Sequence, residues 1–304
     1  MILRRFMALA ALAFAQHCLA DWEFQTVEGA GGVPLNVVTA GDPANPAILL
    51  IHGFGQSHYS FFHQLDSDLA DDYFLVAFDL RGHGASGKPW ATEAYSGSEV
   101  WARDVAAVIA ATDIERPVVV AWSYGTLVAM DYFREFGVNG ITGIILTGGQ
   151  GALKPFRMPT DDDPGAAEFA RIRELQQSPD LIDYIRAGER VIPLLTASPL
   201  PERERQLFQA IGLMLPAYVR RAMMQRQLDN QDLVEQISLP VLFCLGQEDN
   251  PLLLDDGAQL AAGYDNMSLS LYEGAGHSVF VEQPERFNAE LRRFAEAVRQ
   301  APLP

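Results

Sequence analysis

A serine stands between an apolar, β-branched run and a helix-favouring one in "PVVVAWSYGTLVAM", residues 117–130. A serine hydroxyl is a weak nucleophile until a base takes its proton and fixed donors receive the charge that develops on the attacked carbonyl. A tight strand-to-helix turn serves both needs: it lifts the hydroxyl clear of the sheet and aims the first backbone N–H groups of the helix at the reacting oxygen. The G-x-S-x-G pattern of such turns is incomplete here, with Ala121 where the first glycine belongs and Gly125 in the second place. The competing reading of Ser123 is an ordinary helix cap.

The partners that Ser123 would need can be sought by position. His17, His52, His58, His63 and His83 all precede it; His277 alone follows it, in the glycine-rich "GAGHSVFVEQPERF" behind the last expected strand. With the chain order serine, acid, histidine, the acid falls in "CLGQEDNP", where Asp249 is preferred for the G-x-x-D spacing before proline and Glu248 is the second candidate. Such an acid orients the imidazole and stabilises its protonated form. The glycine turn "HGFG" is expected to present the Phe54 N–H beside that of Tyr124 as the two oxyanion donors. His52 reads as a packed brace for that loop, and Asp79, Arg81 and His83 of "DLRGHGASG" as a structural network. No pair of histidines has a zinc spacing such as H-E-x-x-H, so no metal site is expected.

These residues need a scaffold. Strands are expected at 22–27, 34–40, 47–52, 73–79, 117–122, 141–147, 240–246 and 268–273, the later ones near-continuously apolar, as in parallel sheets covered on both faces. Amphipathic stretches lie between them: 98–112, with Ser98 as a possible cap, and 285–300, entered through Pro284. The segment 151–233 breaks the alternation. It opens on "KPFRMPTDDDPG" and continues through helix-favouring stretches, so it reads as an all-helical cap inserted in a core formed by 21–150 and 234–304.

The first twenty residues have a basic start at Arg4 and Arg5, an apolar run from Phe6 to Ala15 and a small-residue exit at Ala20, the pattern of a cleaved export signal. A run of ten apolar residues is short of the roughly 20 that a spanning helix needs, so no stable membrane insertion of the mature chain is expected. Cleavage leaves Cys244 alone, without a disulfide partner. The net charge of −17 becomes −19 when Arg4 and Arg5 leave, which speaks against nucleic acid and anionic membranes as partners and for solubility in a periplasm or medium.

Together "HGFG", "DLRGHGASG", "AWSYG", "GQEDNP" and "GAGHSVFVEQPERF" resemble the α/β-hydrolase superfamily, over most of the chain outside the cap. The resemblance implies an α/β fold: a mostly parallel eight-stranded sheet, its first strand pair antiparallel, helices on both faces and a lid after the sixth strand. It implies a Ser123–Asp249–His277 triad without a cofactor. A serine in place of the aspartate of epoxide hydrolases and haloalkane dehalogenases points to acyl transfer to water. The expected activity is cleavage of small to medium apolar esters, with Trp122 and Met158 in the substrate pocket beside a Met- and Leu-rich lid. Lactonase, carbon–carbon bond hydrolase and cofactor-free perhydrolase chemistry would use the same triad, and a non-catalytic ligand-binding relative would keep the fold.

Overall fold

Runs such as Ala47–Ile51 and Val118–Trp122 are apolar at every position, so they are stable only where both faces are covered. In the computed structural model, which describes residues 22–155 and 165–300, they form the centre of one eight-stranded sheet. Its strands are β1 (Glu23–Glu28), β2 (Pro34–Ala40), β3 (Ala47–Ile51), β4 (Phe74–Phe78), β5 (Val118–Trp122), β6 (Gly143–Thr147), β7 (Val241–Gly246) and β8 (Met267–Tyr272). Their spatial order is β1-β2-β4-β3-β5-β6-β7-β8. The β1–β2 and β2–β4 pairs are antiparallel and the rest parallel. Each strand lies where the sequence pattern predicts it, with ends displaced by two residues at most.

Helices α1 (Phe62–Leu65) and α2 (Leu69–Asp72) lead from β3 to β4, α3 (Ser98–Ala111) leads into β5, and α4 (Tyr124–Phe136) joins β5 to β6. Between β6 and β7 the described residues form α5 (Ala166–Gln177), α6 (Leu181–Val191), α7 (Glu202–Leu213) and α8 (Ala217–Met224). Then α9 (Pro251–Gly263) joins β7 to β8, and α10 (Val279–Glu282) and α11 (Pro284–Gln300) close the description. Among the described residues no helix is long and apolar enough to cross a membrane.

Successive strand side chains point to opposite faces, and the two faces bury separate cores. Val119 and Ala121 pack with Trp101 and Val128 of α3 and α4. Val118, Val120 and Trp122 pack on the other side with Phe280 and Phe287 of α10 and α11. Ser98 does not cap α3. Gly97 is the cap residue, and the Ser98 hydroxyl donates to Glu135 Oε1 at 2.5 Å instead. The inserted helices are tied together by buried Arg220, which donates to the carbonyls of Gln176 (2.8 Å), Leu215 (2.7 Å) and Ser178 (3.1 Å) and lies 3.3 Å over the Tyr184 ring.

From β3 the chain departs toward β4, and from β5 it departs the opposite way, toward β6. The loops after β3 and β5 therefore part at adjacent strand ends and leave a crevice at the carboxyl edge of the sheet. Residues 52–55 and Ser123 occupy those two loops.

Candidate active site

Ser123 follows β5 directly, with φ 53° and ψ −117°, a conformation that costs a residue with a side chain about 1–3 kcal/mol and persists only when its surroundings fix it. Three hydrogen bonds do so: its N–H donates to Thr147 O (2.9 Å), and its carbonyl accepts from Thr126 N–H (3.0 Å) and the Thr126 hydroxyl (2.6 Å). The Ser123 hydroxyl makes no capping bond to the helix that follows, so the cap reading of this serine falls away. Gly125 and Ala121 differ in what they must be. A Cβ on Gly125 would lie 2.3 Å from Ile51 O, which no side chain tolerates, whereas the Ala121 methyl is fully buried in the α3/α4 core and fits. The first position of the pattern thus has room that the second lacks.

Phe54 and Tyr124 stand on the two loops that part at this crevice. Gly53 presses so closely on the serine that a Cβ on it would lie 3.0 Å from Ser123 Cβ, and Gly55, at φ 69°, completes the turn around Phe54. Tyr124 is the first residue of α4, so its N–H has no carbonyl to meet within the helix. Phe54, Ser123, Tyr124, Asp249 and His277 all line one cavity of about 630 Å³.

His277 and Asp249 are brought together across 28 residues, with His277 Nδ1 at 2.9 Å from Asp249 Oδ2 and 3.2 Å from Oδ1. The carboxylate is held by the Asn250 N–H at 2.7 Å, and Asn250 in turn caps α9. Glu248, the second candidate, is exposed and contributes its N–H to Ala275 O. Burial disfavours the charged imidazole, but the charge and hydrogen bond of Asp249, with the charge of Glu282, outweigh it and raise the pKa of His277 above its usual value. A Cβ on Gly148 would lie 3.0 Å from His277 Cε1, so the end of β6 forms the floor beneath the ring.

Two pocket expectations fare differently. Met158 lies outside the described residues. Trp122 does not line the cavity: it is 1% exposed, faces the α10/α11 core, and its indole N–H donates to His277 O at 3.0 Å. The cause is strand alternation, which turns the residue before Ser123 into the sheet's other face. Of the insertion's methionines, Met223 and Met224 line the cavity with Leu127, Phe169 and Leu253, while Met214 is 46% exposed outside it.

His52 is fully buried; its Nδ1 faces Gly53 O at 2.8 Å and its Nε2 accepts from Leu80 N–H at 2.9 Å. Burial lowers its pKa to about 4, so it is a neutral brace for the loop after β3. Arg81 pairs with Asp104 through two bonds of 2.6 and 2.7 Å in the interior. Sequence reasoning missed Arg226, at the end of the inserted helices. Its guanidinium donates to Tyr124 Oη (2.8 Å) and to both oxygens of Asp131 (2.7 Å each), binding the insertion to two turns of α4. Nothing near Arg226 in sequence signals this, because the partners lie 95 and 102 residues away. Among the described residues no group of three or more His, Cys, Asp or Glu side chains could hold a metal ion.

Comparison with known proteins agrees with this architecture. The profile of the alpha/beta hydrolase family matches residues 48–290. An uncharacterised protein of Mycobacterium tuberculosis is 29% identical over 278 residues, covering 85% of this chain and 77% of its own. Among solved structures, a protein of Burkholderia cenocepacia provisionally assigned as an aryl esterase superposes with a TM-score of 0.82 at 28% identity, over 92% of this chain and all of its own. The esterase RhEst1 of Rhodococcus sp. ECU1013 superposes with a TM-score of 0.78 at 29% identity, over 90% and 99%.

Proposed function

The chain belongs to the alpha/beta hydrolase family, and from that premise we propose that it is an exported serine hydrolase that cleaves carboxylic esters of small to medium apolar compounds. One observation carries the proposal: a strained serine at a strand–helix junction shares a cavity with a hydrogen-bonded His277–Asp249 pair. The esterases among the structural relatives support the bond type. The apolar wall of Phe54, Leu127, Met223 and Leu253 supports an apolar substrate, and the basic, apolar, small-residue order of residues 1–20 supports export.

In this mechanism His277 Nε2 takes the Ser123 proton as the hydroxyl oxygen attacks the ester carbonyl. Asp249 holds Nδ1–H and stabilises the imidazolium that forms. The backbone N–H groups of Phe54 and Tyr124 receive the oxyanion. His277 then gives its proton to the leaving alcohol, activates a water that attacks the acyl-serine, and returns the proton to Ser123 as the acid departs. The chemistry is complete with side chains, backbone and water.

The test is fluorophosphonate labelling of wild type, Ser123→Ala and His277→Ala, with turnover of an aryl-ester panel beside lactones and vinylogous diketones. Wild type should label and hydrolyse aryl esters, and neither variant should label. Labelling that persists in Ser123→Ala overturns the site, and turnover confined to lactones or diketones moves the substrate class.

A further inference from the structure

Gly276, the residue before His277, is the point where three segments meet. A Cβ on it would lie 2.8 Å from Ala197 N and 3.0 Å from Thr196 C, so the connection between α6 and α7 packs directly on the histidine loop. On the other flank, Gly246 at the end of β7 is so close that its own Cβ would lie 2.1 Å from Gly276 O, and Glu248 N–H donates to Ala275 O at 2.9 Å. One carboxylate fastens the first of these contacts. Glu282, at the end of α10, accepts the Gly276 N–H on Oε2 at 2.7 Å, and on Oε1 the N–H groups of Ala197 at 2.6 Å and Ser198 at 3.4 Å.

We propose that Glu282 is a positioning residue for His277, through which the placement of the inserted helices sets the placement of the imidazole. The inference rests on the serine-hydrolase reading above. All three partners of Glu282 are donors, and an ionised carboxylate is the side chain that offers acceptors alone. A glutamine would turn its NH₂ toward one of the two sets of N–H groups and could hold the histidine loop or the inserted segment, but not both. Two carboxylates raise the pKa of His277: Asp249, on the turn after β7, and Glu282, on α10, while Lys154, Arg173, Arg226 and Asp256 line the same cavity as His277. Both carboxylates favour the imidazolium that forms as Ser123 loses its proton. Glu282 does not line the cavity that Ser123 borders, so it acts on the imidazole in two ways, by position through Gly276 and by its charge.

The experiment measures kcat and KM per fluorophosphonate-labelled site, across pH, for wild type, Glu282→Gln and Glu282→Asp. In Glu282→Gln, kcat per labelled site should fall about tenfold with KM changed less than about threefold, since a base displaced by a fraction of an ångström loses rate more than binding. The acid limb of kcat/KM should move to lower pH, because a negative charge near the imidazole has gone. Glu282→Asp keeps the charge but is one methylene short, and should lose kcat with the acid limb in place. A merely structural Glu282 would lower the labelled fraction and leave the rate per labelled site and the acid limb as in wild type. That outcome in Glu282→Gln overturns the proposal, as does a wild-type rate per site in Glu282→Asp should the glutamine variant fail to fold. Absence of labelling at Ser123 in wild type would instead remove the serine-hydrolase reading itself.

Discussion

Among the described residues two histidine–aspartate pairs have nearly equal geometry. His277 Nδ1 lies 2.9 Å from Asp249, with side chains 21% and 9% exposed, and His58 Nδ1 lies 2.8 Å from Asp79, with side chains 7% and 0% exposed. The first pair borders the cavity that Ser123 also lines. The second is sealed: Trp22 stands edge-on at 6.1 Å, and His58 Nε2 is buried without a partner. Asp79 also accepts from the N–H groups of His58 and Ala85 and from Asn36 Nδ2. Burial alone would raise its pKa, but the hydrogen bonds from His58 and the nearby His58 and His52 rings hold it well below the usual carboxylate range. An aspartate beside an imidazole is thus a local device with two uses. What the second ring nitrogen can reach decides between them.

Replacing the histidines draws the sharpest contrast. His277→Ala should lower kcat for an aryl ester by about 10⁴-fold or more with little change in thermal midpoint. His58→Ala should leave kcat per labelled site within about threefold and lower stability by about 1–3 kcal/mol, since it removes the imidazole hydrogen bond to the buried Asp79 carboxylate, which keeps the residue-58 backbone N–H. Loss of turnover per site in His58→Ala would erase the distinction.

The aspartates should divide in the same way. Asp249→Asn is expected to cost about 10³–10⁴-fold in kcat through the wrong imidazole tautomer. Asp79→Asn should act on folding, by about 3–5 kcal/mol in denaturant titration, because it breaks a buried charged network.

The pH profile sharpens the comparison further. Because the pKa of His277 is raised, the acid limb of kcat/KM should lie above the roughly 6.5 of an ordinary imidazole, with activity lost as pH falls through the raised value and the base becomes protonated. Asp249→Asn should move that limb to lower pH. By linkage the same pair adds stability below the unfolded imidazole pKa and loses it as pH rises through the folded one. A limb at or below the ordinary value would mean that Asp249 does not act on the working imidazole.

The smallest expected effect is on access. Trp22→Ala should expose His58 Nε2 to carbethoxylation by diethylpyrocarbonate, at a cost of about 1 kcal/mol, without any gain in turnover. A gain would show the sealed pair to be a second working base.

Much of this arrangement was legible beforehand. The strands were readable because a strand covered on both faces must be apolar at consecutive positions, and Val118–Trp122 and Val241–Gly246 are. Gly125, Gly53 and the loop carrying His277 were readable because close backbone approach restricts what can stand there. Trp122 stands next to Ser123 in sequence but serves the other face of the sheet, because neighbouring residues of a strand face opposite sides. Arg226 and Glu282 were missed because their partners lie far off in sequence: two side chains of α4 for Arg226, and the backbone of the connection between α6 and α7 for Glu282.

The sequence by itself determined the order of strands and helices, the small residues that a tight turn after β5 requires, and the candidates Ser123, Asp249 and His277. These depend on local rules: side-chain periodicity, the steric limits of a turn and the chemistry of a residue type. Only the tertiary structure decided which histidine–aspartate pair opens onto the serine's cavity and which is sealed, which face Trp122 serves, and how the insertion is fastened to α4 and to the histidine loop. The reason is physical. Burial, reach and hydrogen-bond partnership are properties of surfaces brought together from distant parts of the chain, and no single segment carries them.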